Sequence, residues 1–471
     1  MTARCSIYRR FLCLVGTFLC FSGLSYGVDL SSWDRPNGCN VDEGNKTISF
    51  NAGNYTFTDA VKISDDNWKL LGVPSNNGEI LSILDGGSTW SFFKFHKTDG
   101  NAIFAGAEWL SFKNGVVDKY SDGGAIYANN INGNIANSEF ISNTAGCGGA
   151  VKVSNAFIGD IFNSAFRWNT ATWGGAIDVA GYFEGNFEGN ILSSIFGNNE
   201  ADYDGGALCI SAFTGNIANT KFISNTARQS GGAVYVLYNW LCAADNLHKS
   251  AANLSSKGDA LFLGNKAGQF GGAVYVDESA NVYAAFGDMI FQGNMDNVDF
   301  DKNSGQSNAM CFGNDDNNDT VTLSAFDVHF MRFYDPISSN VDNPNLIIRI
   351  NGALAEKTAE DGDPEINGLG TWAARQTGTV LFDWFQSNVY FGNTTVSNGT
   401  MALHNGAIFG ASDNVYENED STFTLEPGAV LRIAYEQERR EYILEDGAFD
   451  RNNPNINVTF SAYEQARISA I

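Results

Sequence analysis

The chain has 471 residues, 44% hydrophobic and 13% aromatic, which is enough apolar material for a continuous core and too much for a disordered chain. Its 53 Asp and Glu against 28 Lys and Arg give a net charge of −25, a balance that repels phosphate backbones and argues against nucleic-acid binding. With 51 glycines, and β-branched residues following many of them, a helical fold is disfavoured.

Arg4, Arg9 and Arg10 precede an apolar run from Phe11 to Leu24, and the small residues Ser25 and Gly27 follow it. Charged, apolar and small segments in that order predict a secretory signal over residues 1–27. The fourteen-residue run is shorter than the roughly 20 residues that cross a bilayer, so no transmembrane segment is expected after cleavage near Val28. Cleavage removes three arginines and no acid, which takes the net charge to −28. Five cysteines then remain: Cys39, Cys147, Cys209, Cys242 and Cys311. Five is odd and no CxxC pair occurs, so a metal site is not expected, and at least one thiol should stay free or bridge to another molecule.

Residues 28–111 read as a cap and first coils, with short strands at Thr47–Phe50, Tyr55–Phe57 and Ile83–Asp85. The segment 112–312 carries an internal repeat. Six Gly-Gly-Ala triplets recur, at Gly123-Gly124-Ala125, Gly148-Gly149-Ala150, Gly174-Gly175-Ala176, Gly205-Gly206-Ala207, Gly231-Gly232-Ala233 and Gly271-Gly272-Ala273. Five are preceded by Phe-x-x-Asn: Phe140/Asn143, Phe166/Asn169, Phe196/Asn199, Phe222/Asn225 and Phe262/Asn265. Phe291/Asn294 and Phe300/Asn303 follow without a clean triplet, and Gly-Asn/Asp-Ile begins a third element at Gly133, Gly159, Gly189 and Gly215. Three short apolar segments per unit of about 26 residues predict an all-β fold, a right-handed parallel β-helix of the pectin-lyase type, over most of 45–435. In it the glycines would make a tight corner, the phenylalanines would stack inside, and each Asn would bond a neighbouring coil. After the triplets, Val151/Val153, Ile177/Val179, Val234/Val236 and Val274/Val276 would face the core, with Lys152, Asp178, Cys209, Tyr235 and Tyr275 outside. Residues 313–471 read as degenerate coils interrupted by a loop at 335–370, strands resuming from Val380 to Ala434.

This interleaving of GGA[ILV] and FxxN over 112–312 resembles the chlamydial-type polymorphic outer-membrane proteins, which are autotransporters. The resemblance implies export, display at the outer-membrane surface, and adhesion through the repeat-bearing passenger, which makes the repeat residues the candidate binding set. It departs from that family at its carboxyl end, where no complete membrane β-barrel is expected among the 168 residues after Asn303.

Parallel β-helices also host pectin-degrading enzymes, so a polysaccharide lyase or glycoside hydrolase is the alternative. The hydrolase set of that superfamily is not matched: Asn143-Thr144-Ala145 and Asn225-Thr226-Ala227 lack its Asp, and Asn351 follows Arg349-Ile350. His96, His248, His329 and His404 have no nucleophile motif beside them. Asp315, Asn317 and Asp319 have the spacing that opens a calcium loop, but Thr320 stands at the turn glycine and Phe326 at the bidentate Glu, so a polar loop is expected. The expectation is a non-enzymatic surface protein without cofactor or metal. Its partner would be a cell-surface or matrix ligand, glycans included, with a flat stripe of outward Tyr127, Tyr235 and Tyr275 offering contact area and self-association as a further use.

Overall fold

A computed structural model describes residues 28–241 apart from 98–100 and 180–184, and 258–339 apart from 285–286, 314–319 and 326–328. Beyond these it describes 347–351, 379–383, 393–396, 400–404, 423–425, 429–434, 442–444 and 458–460. The signal segment, the 314–319 loop, His248 and Cys242 therefore lie outside the described residues.

The chain coils into a parallel β-solenoid. Strands that follow the triplets, from Val151–Val153 through Val274–Val276, pair in parallel with their counterparts one coil away and extend at both ends into an 11-stranded sheet. The strands carrying the recurrent Phe form a second, 13-stranded sheet that runs from Gly53–Thr56 to Val430–Ala434. A third sheet starts with an antiparallel hairpin, Cys39–Asp42 against Thr47–Phe50, and continues in parallel from Trp68–Leu71 onward. Where three strands per coil were expected, the coils over 151–233 form five short strands in four sheets: the third sheet takes two from each coil, as at Phe157–Ile158 and Ile161–Phe162, and the two residues that follow Asn169, Asn199 and Asn225 build a short fourth sheet. No break falls at 111/112, since Leu110–Lys113 spans that point and pairs on both sides.

The two glycines of each triplet do different work. The first takes positive φ, 60° to 68° at all six positions, which an L side chain rarely adopts. The second has no such φ; a methyl on Gly175 would lie 2.1 Å from the Gly206 carbonyl oxygen of the next coil. The alanine that follows is fully buried in all six triplets, so the corner packs without room for a larger residue.

Inside, Phe112, Phe140, Phe166, Phe196, Phe222, Phe262, Phe291 and Phe333 form one column with ring centroids 4.7 to 4.8 Å apart. That spacing matches the ~4.8 Å between neighbouring strands, so backbone pairing and ring stacking set the same rise. All eight rings are fully buried. Phe300 is not in the column: it sits in the turn between Met295–Asp299 and Ser304–Ser307, which pair antiparallel at the edge of the short sheet. Phe333 takes the place that the sequence pattern had given to a later Phe-x-x-Asn.

The asparagines form a second internal column. Nδ2 of Asn143, Asn169, Asn199, Asn225 and Asn265 each donates to Oδ1 of the Asn one coil on, at 2.9 to 3.0 Å. The same Nδ2 also donates to the carbonyl of the Phe one coil back, as Asn169 does to Phe140 at 3.0 Å. Each Oδ1 further accepts the preceding Asn backbone N–H, as Asn199 does from Asn169 at 3.0 Å. Both amide hydrogens and both oxygen lone pairs are thereby used, which buried amides require. The column ends on a carboxylate: Asp335 accepts from Asn294 Nδ2 at 2.9 Å, Asn294 N at 2.8 Å, Gly293 N at 3.0 Å and Ser307 Oγ at 2.9 Å.

Candidate recognition surface

The candidate binding set of the repeat is placed inside the coil. The Phe and Asn of the five motifs and the Ala of the six triplets are fully buried, and the glycines form the corner, so their partners are one another. A ligand in solution would meet the residues that alternate with them.

On the triplet sheet those alternating residues form a row of opposed positions: Lys94, Tyr127, Lys152, Asp178, Cys209, Tyr235, Tyr275 and Cys311. They point away from the main core, as their alternation requires, yet they are only 0% to 8% exposed. The expectation that Lys152, Asp178, Cys209 and Tyr235 form a free outer surface is corrected, and so is the tyrosine stripe. Cover comes from residues flanking the strands: Trp173, Leu237 and Phe270 pack against Cys209, Tyr235, Tyr275 and Cys311. Tyr235 and Tyr275 stack at 5.3 Å, and the Tyr275 hydroxyl donates to Asp277 at 2.7 Å. At the polar end, Lys152 Nζ and Asp178 Oδ2 are 2.8 Å apart with side chains 4% and 2% exposed. Cys147, Cys209 and Cys311 are buried and Cys39 is half-buried, its thiol pushed up to about 11 by burial.

Solvent meets the coil beside this row, on the short sheet. There the alanines at 145, 171, 201, 227 and 267 point inward and are buried, while Thr170, Glu200, Thr226 and Lys266 alternate outward. Trp173 and Tyr203, in neighbouring coils and both partly exposed, stack at 4.9 Å with rings 11° from parallel. Arg228 sits next to them, 3.1 Å from Glu200 and 3.5 Å from Asp202, with its guanidinium 5.7 Å over the Phe300 ring. Lys266 Nζ donates to Asn303 Oδ1 at 2.6 Å. The patch therefore combines aromatic surface with planar, charged hydrogen-bonding groups on a rigid sheet. Sequence reading passed over it because Trp173, Tyr203 and Arg228 lie outside the repeated letters. The Thr/Glu/Lys-Ala pair that directly follows Asn143, Asn169, Asn199, Asn225 and Asn265 was the available signal.

A second polar group lies near the later coils. Asp288 Oδ2 is 3.0 Å from Arg332 Nε, both side chains buried, and Asp288 Oδ1 accepts the Phe330 N–H at 2.9 Å. His329 Nδ1 is 3.9 Å from that carboxylate, and Arg332 lies 3.9 Å over the Phe330 ring. A small crevice lined by Ile217, Gly258 and Ala284 reaches Asp288. His96 is half-buried with its ring 5.9 Å from Tyr127; for His404 only the backbone is described. Among the described residues no group of three or more His, Cys, Asp or Glu is arranged to hold a metal, and no helix is long and apolar enough to cross a membrane. Comparison with family models, with curated proteins and with solved structures finds no match.

Proposed function

We propose that this protein is exported and displayed as a β-solenoid passenger, an adhesin that binds a glycan-bearing cell-surface or matrix ligand through the outside of its coils. The observation that carries the reading is the patch of Trp173, Tyr203, Glu200, Asp202 and Arg228. Aromatic faces take the C–H face of a sugar, and planar charged groups take its hydroxyls, a few oriented polar contacts around an apolar one. The net charge of −28 on the mature chain favours a neutral glycan over a polyanionic one. Export is supported by the charged, apolar and small segments of residues 1–27, and display by the repeat resemblance. The test is binding of the mature protein to cells and to immobilised neutral and acidic glycans. Retention on neutral glycans that falls at least tenfold in Tyr203→Ala or Arg228→Ala, with the fold intact, is the expected result.

A second reading, a β-helix polysaccharide lyase or hydrolase, draws on Asp288, Arg332 and His329. It predicts depolymerisation of a polysaccharide that Asp288→Asn abolishes.

A further inference from the structure

We propose that Lys152 and Asp178 condense into an isopeptide bond that covalently staples two neighbouring coils. The two residues are direct partners in adjacent parallel strands, so backbone register and not side-chain wandering brings them together. Their reacting atoms are already in contact, Lys152 Nζ lying 2.8 Å from Asp178 Oδ2. Both side chains are almost wholly removed from water, at 4% and 2% exposure. Further along the same register Asp29 opposes Lys62, but Asp29 is exposed, whereas Lys152 and Asp178, flanked by Tyr127 and Cys209, are sealed from water.

Burial decides the chemistry. A separated ammonium and carboxylate in such a site cost several kcal/mol each in lost hydration, and moving one proton from nitrogen to oxygen removes both charges. Burial lifts the Asp178 carboxyl towards that neutral form. Burial works against the Lys152 ammonium too, but the Asp178 carboxylate, followed by Cys147 and Asp122, holds it above its ordinary value, so the proton leaves Lys152 only by passing to Asp178. The reactive state is the one in which that proton sits on Asp178. The neutral amine is a nucleophile held against its electrophile, an arrangement whose effective concentration far exceeds any free reactant.

The step balances without a co-reactant. The lone pair of Lys152 Nζ forms the new bond to Asp178 Cγ, and the carbonyl π pair moves to oxygen. One proton leaves the nitrogen and one hydroxyl leaves the carbon, so ammonium plus carboxylate give amide plus one water. The proton passes from Lys152 Nζ to the leaving Asp178 oxygen, 2.8 Å away, and Asp122, which acts electrostatically on Lys152, favours the positive charge that develops on the attacking nitrogen. The Cys147 thiol, which hydrogen-bonds the Asp178 carboxyl, is placed to polarise it. The water formed has to leave a site that excludes bulk solvent, and the reverse reaction then lacks its reactant.

Intact-mass measurement of the secreted, denatured and reduced chain tests this, with the mature N-terminus mapped on the same sample. The expected wild-type mass is one water below that of its sequence, with fragmentation locating the loss between Lys152 and Asp178. Asp178→Asn should reach the same final mass as wild type, because an asparagine forms the identical amide by losing ammonia. Asp122→Asn should leave most chains at full mass, and complete bond formation in that variant would remove the role given to Asp122. A folded wild-type chain at its full sequence mass, differing from Asp178→Asn by the Asp-to-Asn change alone, overturns the proposal.

Discussion

At the scale of single residues, the repeat is a set of hydrogen-bonding and steric requirements that each coil meets in the same way. Asn199 shows how many partners depend on one side chain: it accepts from Asn169 N and Asn169 Nδ2, and donates to Phe166 O and Asn225 Oδ1. Asn199→Ala strands several buried groups at once, each worth about 1–3 kcal/mol when unsatisfied, and should lower stability by at least roughly 3 kcal/mol. The denaturation midpoint at unchanged m-value measures it. Asp335 ends the column with four accepted hydrogen bonds, and burial holds its carboxyl above the ordinary carboxylate range even against the donors from Asn294, Ser307 and Gly293. In Asp335→Asn one oxygen can still serve Asn294, but the new amide N–H faces the Gly293 N–H. A loss of about 1–3 kcal/mol is expected by the same measurement. The sequence pattern displayed the asparagines and missed this terminus, because the acceptor is a carboxylate two residues after Phe333 instead of an amide three residues on.

At the scale of elements, what could be read from the sequence was whatever repeats. The triplet corner, the Phe column and the Asn column were legible because each rests on one residue type returning at one place in every coil. Phe196→Ala, in the middle of the column, should cost roughly 3–5 kcal/mol as an unfilled core cavity, and a loss under about 1 kcal/mol by denaturant titration would contradict its place in the stack. The exposure of the outward row was not legible, because the cover over Tyr235 and Tyr275 comes from Trp173, Leu237 and Phe270, which no motif marks. The antiparallel hairpin of Met295–Asp299 and Ser304–Ser307 was also hidden, since Phe300 and Asn303 copy the repeat's letters without its register. That hairpin contains Asp296, whose carboxyl burial pushes up to about 7. A raised carboxyl favours the protonated form in the fold, so this contribution is full below the unfolded value near 4 and is lost as pH rises through about 7. Hydrogen exchange in 295–307 should therefore quicken between about pH 4 and 7 beyond its intrinsic pH dependence, and Asp296→Asn should abolish that excess.

At the scale of the molecule, the proposed function would separate building from recognition. Its repeated residues are consumed by contacts between coils, and the row next to them is sealed as well, so a ligand of the kind proposed would meet the short sheet and the loops that vary between coils. This division explains why the fold could be read from the sequence and the candidate surface could not. A repeat constrains what every coil shares, whereas a binding patch is made of what one or two coils do differently. The central claim, that the outer surface acts by binding, is tested most directly by retention of the secreted protein on immobilised neutral glycans, wild type against Tyr203→Ala, with the circular dichroism of both recorded. The account predicts retention by the wild type and a loss of at least tenfold in the variant at unchanged fold. Equal retention of the two proteins, or release of shortened glycan from the surface, would contradict it.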